Sequence, residues 1–409
     1  MIVRRIRPDE VKRVQEFFAV AFEAHFYTNK DPMPFYEELI GDPQQRGDQC
    51  WQSQWAAFED DDRTMISTFG AVPFRVNFDG HEVGMRGIGG VSTLPQYRRR
   101  GGIRACFESA LPAMYAEGTV FSYLYPFSTA YYRKFGYELG CDAIRYKLLL
   151  SHMPKVELGG YCKLLEQGVD LLEDIKSVYH SWQTRYNMMT VEDELDYQWV
   201  VQANPFHEQE YTYVYYADSG APLGFLSFKL DLSTPCERNM RCTRFYFEGK
   251  QGFYGLLNLL LSLAADHRYA IISLPADLPL TALLPEHSQG AVSRELEARG
   301  MARVVNVEEA LRLARMRGDG ELVLEISDGQ IPQNNGRFEV VFAQGTPNRV
   351  CKTEKPADLR MRIQEFSCLI LGRYGADELS WLADAVCYCS PEKAAKVFYR
   401  KPLYITHPF

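Results

Sequence analysis

The stretch that most constrains the fold of this chain is residues 91–104, which read Val-Ser-Thr-Leu-Pro-Gln-Tyr-Arg-Arg-Arg-Gly-Gly-Ile-Arg. An apolar, strand-like segment precedes it, and residues 105–116 follow with apolar side chains at helical spacing. A strand, a basic turn and a helix therefore succeed one another. Because the first N–H groups of a helix lack intrahelical partners and the helix dipole is positive there, this turn is suited to binding phosphate groups.

The residue types in the turn support this interpretation. Gly101 and Gly102 allow the backbone to approach a phosphate closely, and Arg98, Arg99 and Arg100 add positive charge. The pattern is neither the dinucleotide motif Gly-x-Gly-x-x-Gly nor a P-loop. A solvated, basic helix start is the alternative that the residues alone leave open.

The turn resembles motif A of the GNAT acetyltransferases, Arg/Gln-x-x-Gly-x-Gly/Ala, with Arg98, Gly101 and Ile103 at the three fixed positions. Ile103 departs from the small residue expected in the last position. The resemblance implies that acetyl-CoA binds here as the acetyl donor. It assigns cofactor binding to these residues: Val91, Ser92, Thr93, Arg98, Arg99, Arg100, Gly101, Gly102 and Ile103.

A second signature lies at residues 131–137, Tyr-Tyr-Arg-Lys-Phe-Gly-Tyr, and resembles the GNAT pattern Tyr-x-x-x-Phe-Gly-aromatic. Acyl transfer from a thioester expels a thiolate, which leaves more easily when a nearby hydroxyl group protonates it. Tyr132 is the candidate acid. The alternative is that Tyr132 is a packed aromatic residue in a tyrosine-rich chain.

The segment before the turn contains further strand signals. Residues 55–59, 65–69 and 72–78 read as strands, Asp79-Gly80 as a hairpin turn, and residues 81–93 as the returning strand. Gly87, Gly89 and Gly90 predict a bulge in that strand or a close approach of another backbone. In GNAT proteins this strand splays from its neighbour and pairs with the pantetheine arm of the cofactor, so the backbones of Val91 and Thr93 are the candidates for those hydrogen bonds.

Residues 9–22 read as an amphipathic helix. The aromatic residues Phe26, Tyr27, Phe35 and Tyr36 follow, interspersed with carboxylates, and they would suit the binding of an amine through cation–π and ionic contacts. The alternative is that they belong to a pair of helices that covers the sheet.

Composition limits the other functions. The 409-residue chain has a net charge of −8, which argues against a general nucleic-acid-binding protein. The longest apolar stretch, residues 253–265, is too short to cross a membrane, and no signal peptide is recognisable, so a cytoplasmic location without membrane association is expected. The ten cysteines and eight histidines are dispersed, so no metal site is expected.

The order of predicted elements divides the chain into three domains and predicts a mixed α/β, or α+β, fold. Residues 1–150 form a GNAT domain with the acetyl-CoA site. Residues 151–297 repeat its order of elements but carry Glu-Gly-Lys-Gln-Gly at 248–252 in place of the arginine cluster, which predicts a degenerate GNAT-like domain.

Residues 298–409 resemble a sterol-carrier-protein-like α+β domain. Asn306 and Ser390 are predicted helix caps, residues 359–366 a strand, and residues 377–385 a helix. Such domains can hold lipid, although nothing in this sequence requires a cavity rather than a packed core.

Two GNAT-like domains followed by a sterol-carrier-like domain resemble the Eis (enhanced intracellular survival) family of N-acetyltransferases. The resemblance implies direct acetyl transfer to a primary amine of the aminoglycoside, arylalkylamine or lysine type, and assembly as a symmetric homo-oligomer, including hexamers. It also implies that the C-terminal carboxylate, here that of Phe409, returns to the first active site as the base. Because no acidic side chain follows Glu392, that carboxylate would stand alone, which puts polycationic acceptors in doubt.

Two competing functions stay open at this point. One is a CoA- or lipid-binding module that has lost transferase activity, which would bind acetyl-CoA without releasing thiol in the presence of an acceptor. The other is a structural protein without a ligand, which acetyl-CoA would not stabilise against heat.

Overall fold

The structure is a computed structural model that describes residues 1–22, 51–231, 237–288 and 290–407. It divides into two compact units. Unit 1 comprises Met1–Cys141, Arg299–Lys401 and Thr406–Phe409, and unit 2 comprises Asp142–Ala298 and Pro402–Ile405. The predicted domain boundaries at residues 150 and 297 stay predictions.

The strands of the described residues are β1 (Ile2–Arg5), β2 (Gln54–Phe58), β3 (Met65–Phe78), β4 (His81–Thr93), β5 (Phe121–Leu124), β6 (Glu138–Leu149), β7 (Tyr161–Leu164), β8 (Glu210–Tyr216), β9 (Pro222–Asp231), β10 (Asn239–Phe247), β11 (Tyr269–Pro275), β12 (Val292–Val304), β13 (Gly320–Ser327), β14 (Gly336–Phe342), β15 (Arg349–Lys352), β16 (Leu359–Arg362) and β17 (Val386–Cys387).

The α-helices are α1 (Val11–Ala21), α2 (Gly102–Ala116), α3 (Thr129–Arg133), α4 (Leu172–Arg185), α5 (Gln198–Val201), α6 (Pro205–Glu208), α7 (Gly249–Ser262), α8 (Leu280–Leu283), α9 (Val307–Leu313), α10 (Ile363–Leu371) and α11 (Pro391–Ala395). Short 3₁₀ turns join several of these elements.

In the N-terminal part of unit 1, strands β1 to β4 form an antiparallel sheet, and β5 then pairs with β4 in the parallel sense. The predicted strands 65–69 and 72–78 are one continuous strand, β3. Asp79 and Gly80 join β3 to β4 with φ angles of 53° and 93°, which are the left-handed values that a two-residue hairpin turn requires. The predicted hairpin is therefore confirmed.

Helix α2 covers this sheet with the apolar face that its sequence predicted. The side chains of Ile103, Phe107, Leu111 and Met114 are buried, because residues three and four positions apart lie on one side of a helix. Phe107 stacks on Phe135 with ring centroids 4.3 Å apart. The helix that begins at the basic turn is thus anchored to the core of unit 1.

The C-terminal part of unit 1 has a separate sheet in the order β15-β14-β13-β16-β17. The side chains of Asn306 and Ser390 accept hydrogen bonds at the starts of α9 and α11, so both predicted caps are confirmed. The predicted strand at 359–366 is wrong beyond Arg362, because α10 begins at Ile363 and buries nearly all of its residues. The predicted helix at 377–385 is also wrong, since only a 3₁₀ segment, Ala376–Trp381, forms there.

Unit 2 repeats the arrangement of the first sheet. Strands β7, β8, β9 and β10 pair antiparallel, and β10 pairs in parallel with β11, as β4 does with β5. Helix α7 follows β10 and packs into the core of unit 2 through Phe253, Leu256 and Leu260. No helix in the described part of the chain is long and apolar enough to cross a membrane.

Candidate active site

Strand β4 carries a bulge in the region that the sequence assigned to the cofactor. Thr68 of β3 pairs with Ser92, but Gly70 pairs with Gly89, so the register shifts between the two pairs. Gly90 has a φ angle of 60°, and a side chain there would overlap the ring of Phe18. The bulge predicted from the glycines is confirmed, and glycine is required at residue 90 for both reasons.

Beyond the bulge, β4 is open on the side that faces β5. The parallel pairing of β4 with β5 ends at Ile88 and Leu124. Val91, Ser92 and Thr93 therefore have no β5 partner among the described residues. The side chains of Val91 and Thr93 are partly exposed, and the hydroxyl of Ser92 is buried with no hydrogen-bond partner in the described part of the chain. An extended ligand with amide groups could pair with this strand edge.

The basic turn coils the backbone immediately after β4. Arg99 and Gly101 have φ angles of 64° and 86°, and the first helical hydrogen bond runs from the Ala105 N–H to the Gly101 carbonyl at 3.0 Å. Across the described residues, the N–H groups of residues 99–104 have no acceptor. Gly102 is buried against Ser67, and a side chain there would overlap the Ser67 hydroxyl. The turn is thus a cradle of free N–H donors held tightly against β3.

The charges around the cradle are not equivalent. Arg100 forms a two-pronged ion pair with Glu59, at 2.6 and 3.0 Å, and this hydrogen bonding raises the pKa of Arg100. Arg98, Arg99 and Arg104 have no carboxylate partner in the described ranges. Their charges are therefore available to an anion, whereas the charge of Arg100 is already neutralised by Glu59.

A cavity of about 480 Å³ unites the cradle with the second sequence signature. It is lined by Ser67, Thr93, Tyr97, Arg98, Arg99, Arg100, Gly101, Gly102, Ile103, Arg104, Tyr131, Lys134 and Phe135. Among the predicted cofactor residues, Val91 and Ser92 do not line it, although they are close to it in sequence on β4. Sequence reasoning missed Ser67, Tyr97, Arg104 and Lys134 as cavity residues. Lys134 lies inside the second signature and Arg104 inside the first, but Ser67 gave no signal.

Tyr132 lies on α3, whose start is capped by Ser128, and its side chain is only 2% exposed. Edge-on contacts with Phe107, Phe127 and Tyr137 hold its ring. Burial raises the pKa of Tyr132, with a smaller contribution from the neighbouring tyrosines, so the phenol keeps its proton at neutral pH. Its hydroxyl has no hydrogen-bond partner within the described residues, and Tyr132 itself does not line the cavity, whereas its neighbours Tyr131, Lys134 and Phe135 do.

Two predicted features lie outside the described residues. They are the aromatic residues Phe26, Tyr27, Phe35 and Tyr36, and the terminal residue Phe409. The nearest described residue to the latter is His407, whose carbonyl accepts a hydrogen bond from the Tyr125 hydroxyl at 3.1 Å and whose ring lies 4.8 Å from that of Phe74. Tyr125 directly follows β5, so residue 407 lies close to the end of that strand.

The corresponding region of unit 2 is different. The parallel pairing of β10 and β11 ends at Arg241 and Ile271. Beyond these residues, side chains of the protein donate hydrogen bonds to a backbone carbonyl of each strand. The Trp182 indole N–H donates to the Phe247 carbonyl on β10 at 2.9 Å, and the Tyr404 hydroxyl donates to the Ser273 carbonyl on β11 at 3.0 Å. A cavity of about 400 Å³ lies at residues 248–250, where Glu248 and Lys250 replace the arginine cluster.

No cluster of three or more histidine, cysteine, aspartate or glutamate side chains arranged for metal binding occurs in the described parts of the chain. Cys106 lies on α2 behind the cradle, and burial raises the pKa of its thiol to about 12. This thiol is therefore protonated and a poor nucleophile at neutral pH.

Comparison with known proteins identifies the domains. Residues 2–140 and 189–304 each match a family model described as an acetyltransferase (GNAT) domain. Residues 307–404 match a model described as a sterol carrier protein domain. A search among curated proteins found no match.

Solved structures that share this fold match the chain over its whole length. A probable N-acyltransferase from Enterococcus faecalis V583 has a TM-score of 0.83 at 22% identity, with 100% of this chain and 99% of that one covered. A GCN5-related N-acetyltransferase from Anabaena variabilis has a TM-score of 0.81 at 18% identity, with 99% of both chains covered. Eis1 from Mycobacterium abscessus has a TM-score of 0.77 at 17% identity, with 100% of both chains covered.

The domains and the cradle define the class of this protein: it is a GNAT-family N-acetyltransferase. The chain consists of two GNAT domains followed by a sterol carrier protein domain, with the fold found in Eis1. The predicted mixed α/β fold and the resemblance to the Eis family are both confirmed.

Proposed function

We propose that the protein transfers the acetyl group of acetyl-CoA directly to a primary amine at the cavity in unit 1. The observation that carries the proposal is the junction, in one cavity, of the cradle at residues 98–104 with the tyrosine-containing signature. Free N–H donors beside unpaired arginines favour a pyrophosphate, and the open edge of β4 favours a chain of amides. Coenzyme A combines these two chemical groups.

The residues take separate roles in this proposal. Arg98, Arg99 and the N–H groups of Gly101, Gly102 and Ile103 bind the pyrophosphate. Arg100 acts indirectly, through its ion pair with Glu59, unless the cofactor displaces that carboxylate. Val91, Ser92 and Thr93 supply the strand edge to the pantetheine arm through their backbone groups.

The reaction follows from the chemistry of the thioester. The neutral amine attacks the carbonyl carbon, a C–N bond forms, the C–S bond breaks, and the thiolate receives a proton from the Tyr132 hydroxyl. A phenol of ordinary pKa is already protonated at neutral pH, and burial raises the pKa of Tyr132 further, so its proton is present and stabilises the departing sulfur by a hydrogen bond as the bond breaks. The amine loses its own proton to a base, and Tyr132 regains a proton from solvent before the next turnover.

Phe409 is the predicted source of that base, through its carboxylate. His407 lies beside Tyr125 near the end of β5, and two further residues span about 7 Å at most. The location of His407 supports the proposal, and the role of Phe409 itself stays a prediction.

The experiment measures the release of CoA thiol from acetyl-CoA in the presence of aminoglycosides, arylalkylamines or lysine peptides. We expect release that depends on one of these amines. Tyr132→Phe should lower kcat by about 10²- to 10⁴-fold with little effect on the KM for acetyl-CoA, because it removes only the proton donor.

Tyr131→Phe is the comparison variant, since Tyr131 lies on the same helix and lines the cavity; if Tyr132 is the donor, the Tyr131→Phe protein keeps most of the native kcat. An unchanged rate in Tyr132→Phe would remove Tyr132 from the mechanism. Binding of acetyl-CoA without thiol release for any amine would favour a CoA-binding module that has lost transferase activity.

A further inference from the structure

The most deeply buried charges of unit 1 lie behind the second sequence signature. Arg303, near the end of β12, and Asp328, after β13, form an ion pair whose two side chains are fully buried. Arg303 uses one nitrogen of its guanidinium group for Asp328 and another for the backbone carbonyl of Phe135. The carbonyl belongs to the turn that connects Tyr132 to Gly136.

Asp328 is itself held by a complete set of donors. One of its carboxylate oxygens accepts the N–H groups of Gln330 and Ile331, at 2.9 and 3.3 Å. The other accepts Arg303 and the side-chain amide of Asn334, the latter at 2.9 Å. Asp328, in the sterol-carrier-like part of the chain, therefore fixes the orientation of the Arg303 guanidinium.

The turn that receives Arg303 is closed tightly around Tyr132. The carbonyl of Tyr132 accepts the N–H of Phe135 at 2.9 Å and that of Tyr137 at 3.4 Å. Gly136 has a φ angle of 84°, and a side chain there would overlap the Arg303 guanidinium. In addition, the side chain of Gln364 on α10 donates to the Arg133 carbonyl at 3.0 Å. Two carbonyls of the turn are thus held, one by Arg303 of β12 and one by Gln364 of α10.

We propose that Arg303, held by Asp328, is a positioning residue that fixes the Tyr132 turn for catalysis, and that this is what the sterol-carrier-like part contributes to the reaction. Arg303 does not line the cavity and acts through the Phe135 carbonyl. The inference rests on the proposed function, because it assumes that Tyr132 donates the proton. It assigns the sterol-carrier-like part a role that requires no bound lipid.

The experiment replaces the ion pair by apolar side chains of similar size, Arg303→Met with Asp328→Leu. Removal of both charges leaves no unpaired charge in the core, which favours stability, although the donors of Gln330, Ile331 and Asn334 also lose their acceptor. The hydrogen bond to Phe135 is lost. We expect kcat to fall at least tenfold while the Kd for CoA changes less than twofold, because the cradle is untouched.

The decisive comparison repeats the exchange in the Tyr132→Phe protein. If Arg303 acts through Tyr132, the double exchange lowers kcat little further in the Tyr132→Phe protein, because the effects of substitutions in residues that act as a unit are not additive. A loss of the same factor in both backgrounds would overturn the proposal, as would an unchanged kcat in the otherwise native protein. The ion pair of Arg4 with Glu10, at 2.8 Å, supplies the control, and Arg4→Met with Glu10→Leu should leave kcat unchanged.

Amide hydrogen exchange separates this proposal from the proposed function. The amides of Phe135 and Tyr137 should exchange at least tenfold faster in the Arg303→Met, Asp328→Leu protein, whether or not the native protein releases thiol. Absence of thiol release from the native protein would refute only the proposed function. Unchanged exchange at these two amides would refute the positioning role. If the double exchange fails to fold, Arg303→Lys keeps the charge but has one nitrogen in place of the two that reach Asp328 and the Phe135 carbonyl, and it is judged by the same two measurements.

Discussion

Gly102 offers the most direct test of the cradle, because its lack of a side chain is required by a contact and not by its backbone conformation. A Cβ atom at this residue would overlap the Ser67 hydroxyl and lie 2.9 Å from the Ser67 Cβ, with Ile66 a further 3.5 Å neighbour. Ser67 cannot rotate away freely, since its hydroxyl is hydrogen-bonded to that of Thr93 at 2.8 Å. Gly102→Ala must therefore push the start of α2 away from β3.

The magnitude follows from this overlap. Ordinary contact begins near 3.4 Å, so the Cβ atoms must separate by about half an ångström, and overpacking of this kind costs about 1–3 kcal/mol. If the whole cost appears on cofactor binding, affinity for CoA falls about 5- to 150-fold, since about 1.4 kcal/mol corresponds to a factor of ten. Any part of this cost that destabilises the protein without its cofactor lowers Tm by about 2–4 °C per kcal/mol.

The assay combines calorimetric titration of CoA with thermal unfolding of the same samples. Ser67→Gly in the Gly102→Ala protein should recover most of the lost affinity, because it removes both overlapping atoms. Gly329→Ala is the control, since Gly329 has open space around it and does not have a left-handed φ. Wild-type affinity and Tm in Gly102→Ala, or failure of Ser67→Gly to restore affinity, would refute the packing argument.

Two further predictions concern the protons of the reaction. Because the pKa of Tyr132 is raised, its acid form persists as pH increases and is lost only above pH 10, the ordinary pKa of tyrosine. We therefore expect kcat to show no alkaline decline between about pH 7 and 9.5. A decline in this range that is absent from the Tyr132→Phe protein would contradict the raised pKa. Extension of the protein by a few residues beyond Phe409 should reduce kcat strongly while leaving CoA binding intact, as measured by thiol release and titration calorimetry, and equal activity of both forms would exclude the terminal carboxylate as base.

Much of the first domain could be predicted from local sequence signals. The hairpin at Asp79-Gly80 and the bulge at Gly90 depend on backbone conformations that glycine adopts readily, so their residues report them directly. Helix α2 was visible in its apolar periodicity. The boundary between β16 and α10 was missed because a buried apolar run such as residues 363–371 carries no periodicity that separates a strand from a helix.

The candidate site was predicted less completely, for a physical reason. The sequence treated Arg98, Arg99 and Arg100 as one basic cluster, but Arg100 is paired with Glu59, a residue 41 positions earlier in the chain. Ser67 borders the cavity only because β3 lies under the start of α2. Neither relationship is encoded in spacing along the chain, since both are contacts between segments that the fold brings together.

The sequence by itself determined the GNAT motifs, their attachment to a strand–turn–helix unit, and the order of domains, because each depends on residues close together in the chain. Only the tertiary structure decided which arginine charges are free and which carbonyls of unit 2 are covered by Trp182 and Tyr404. It also decided that Arg303, 168 residues away, holds the Phe135 carbonyl. These contacts join segments that are far apart in the sequence. Which residues meet depends on the pairing of buried charges and on the fit between packed surfaces, and local sequence patterns do not contain this information.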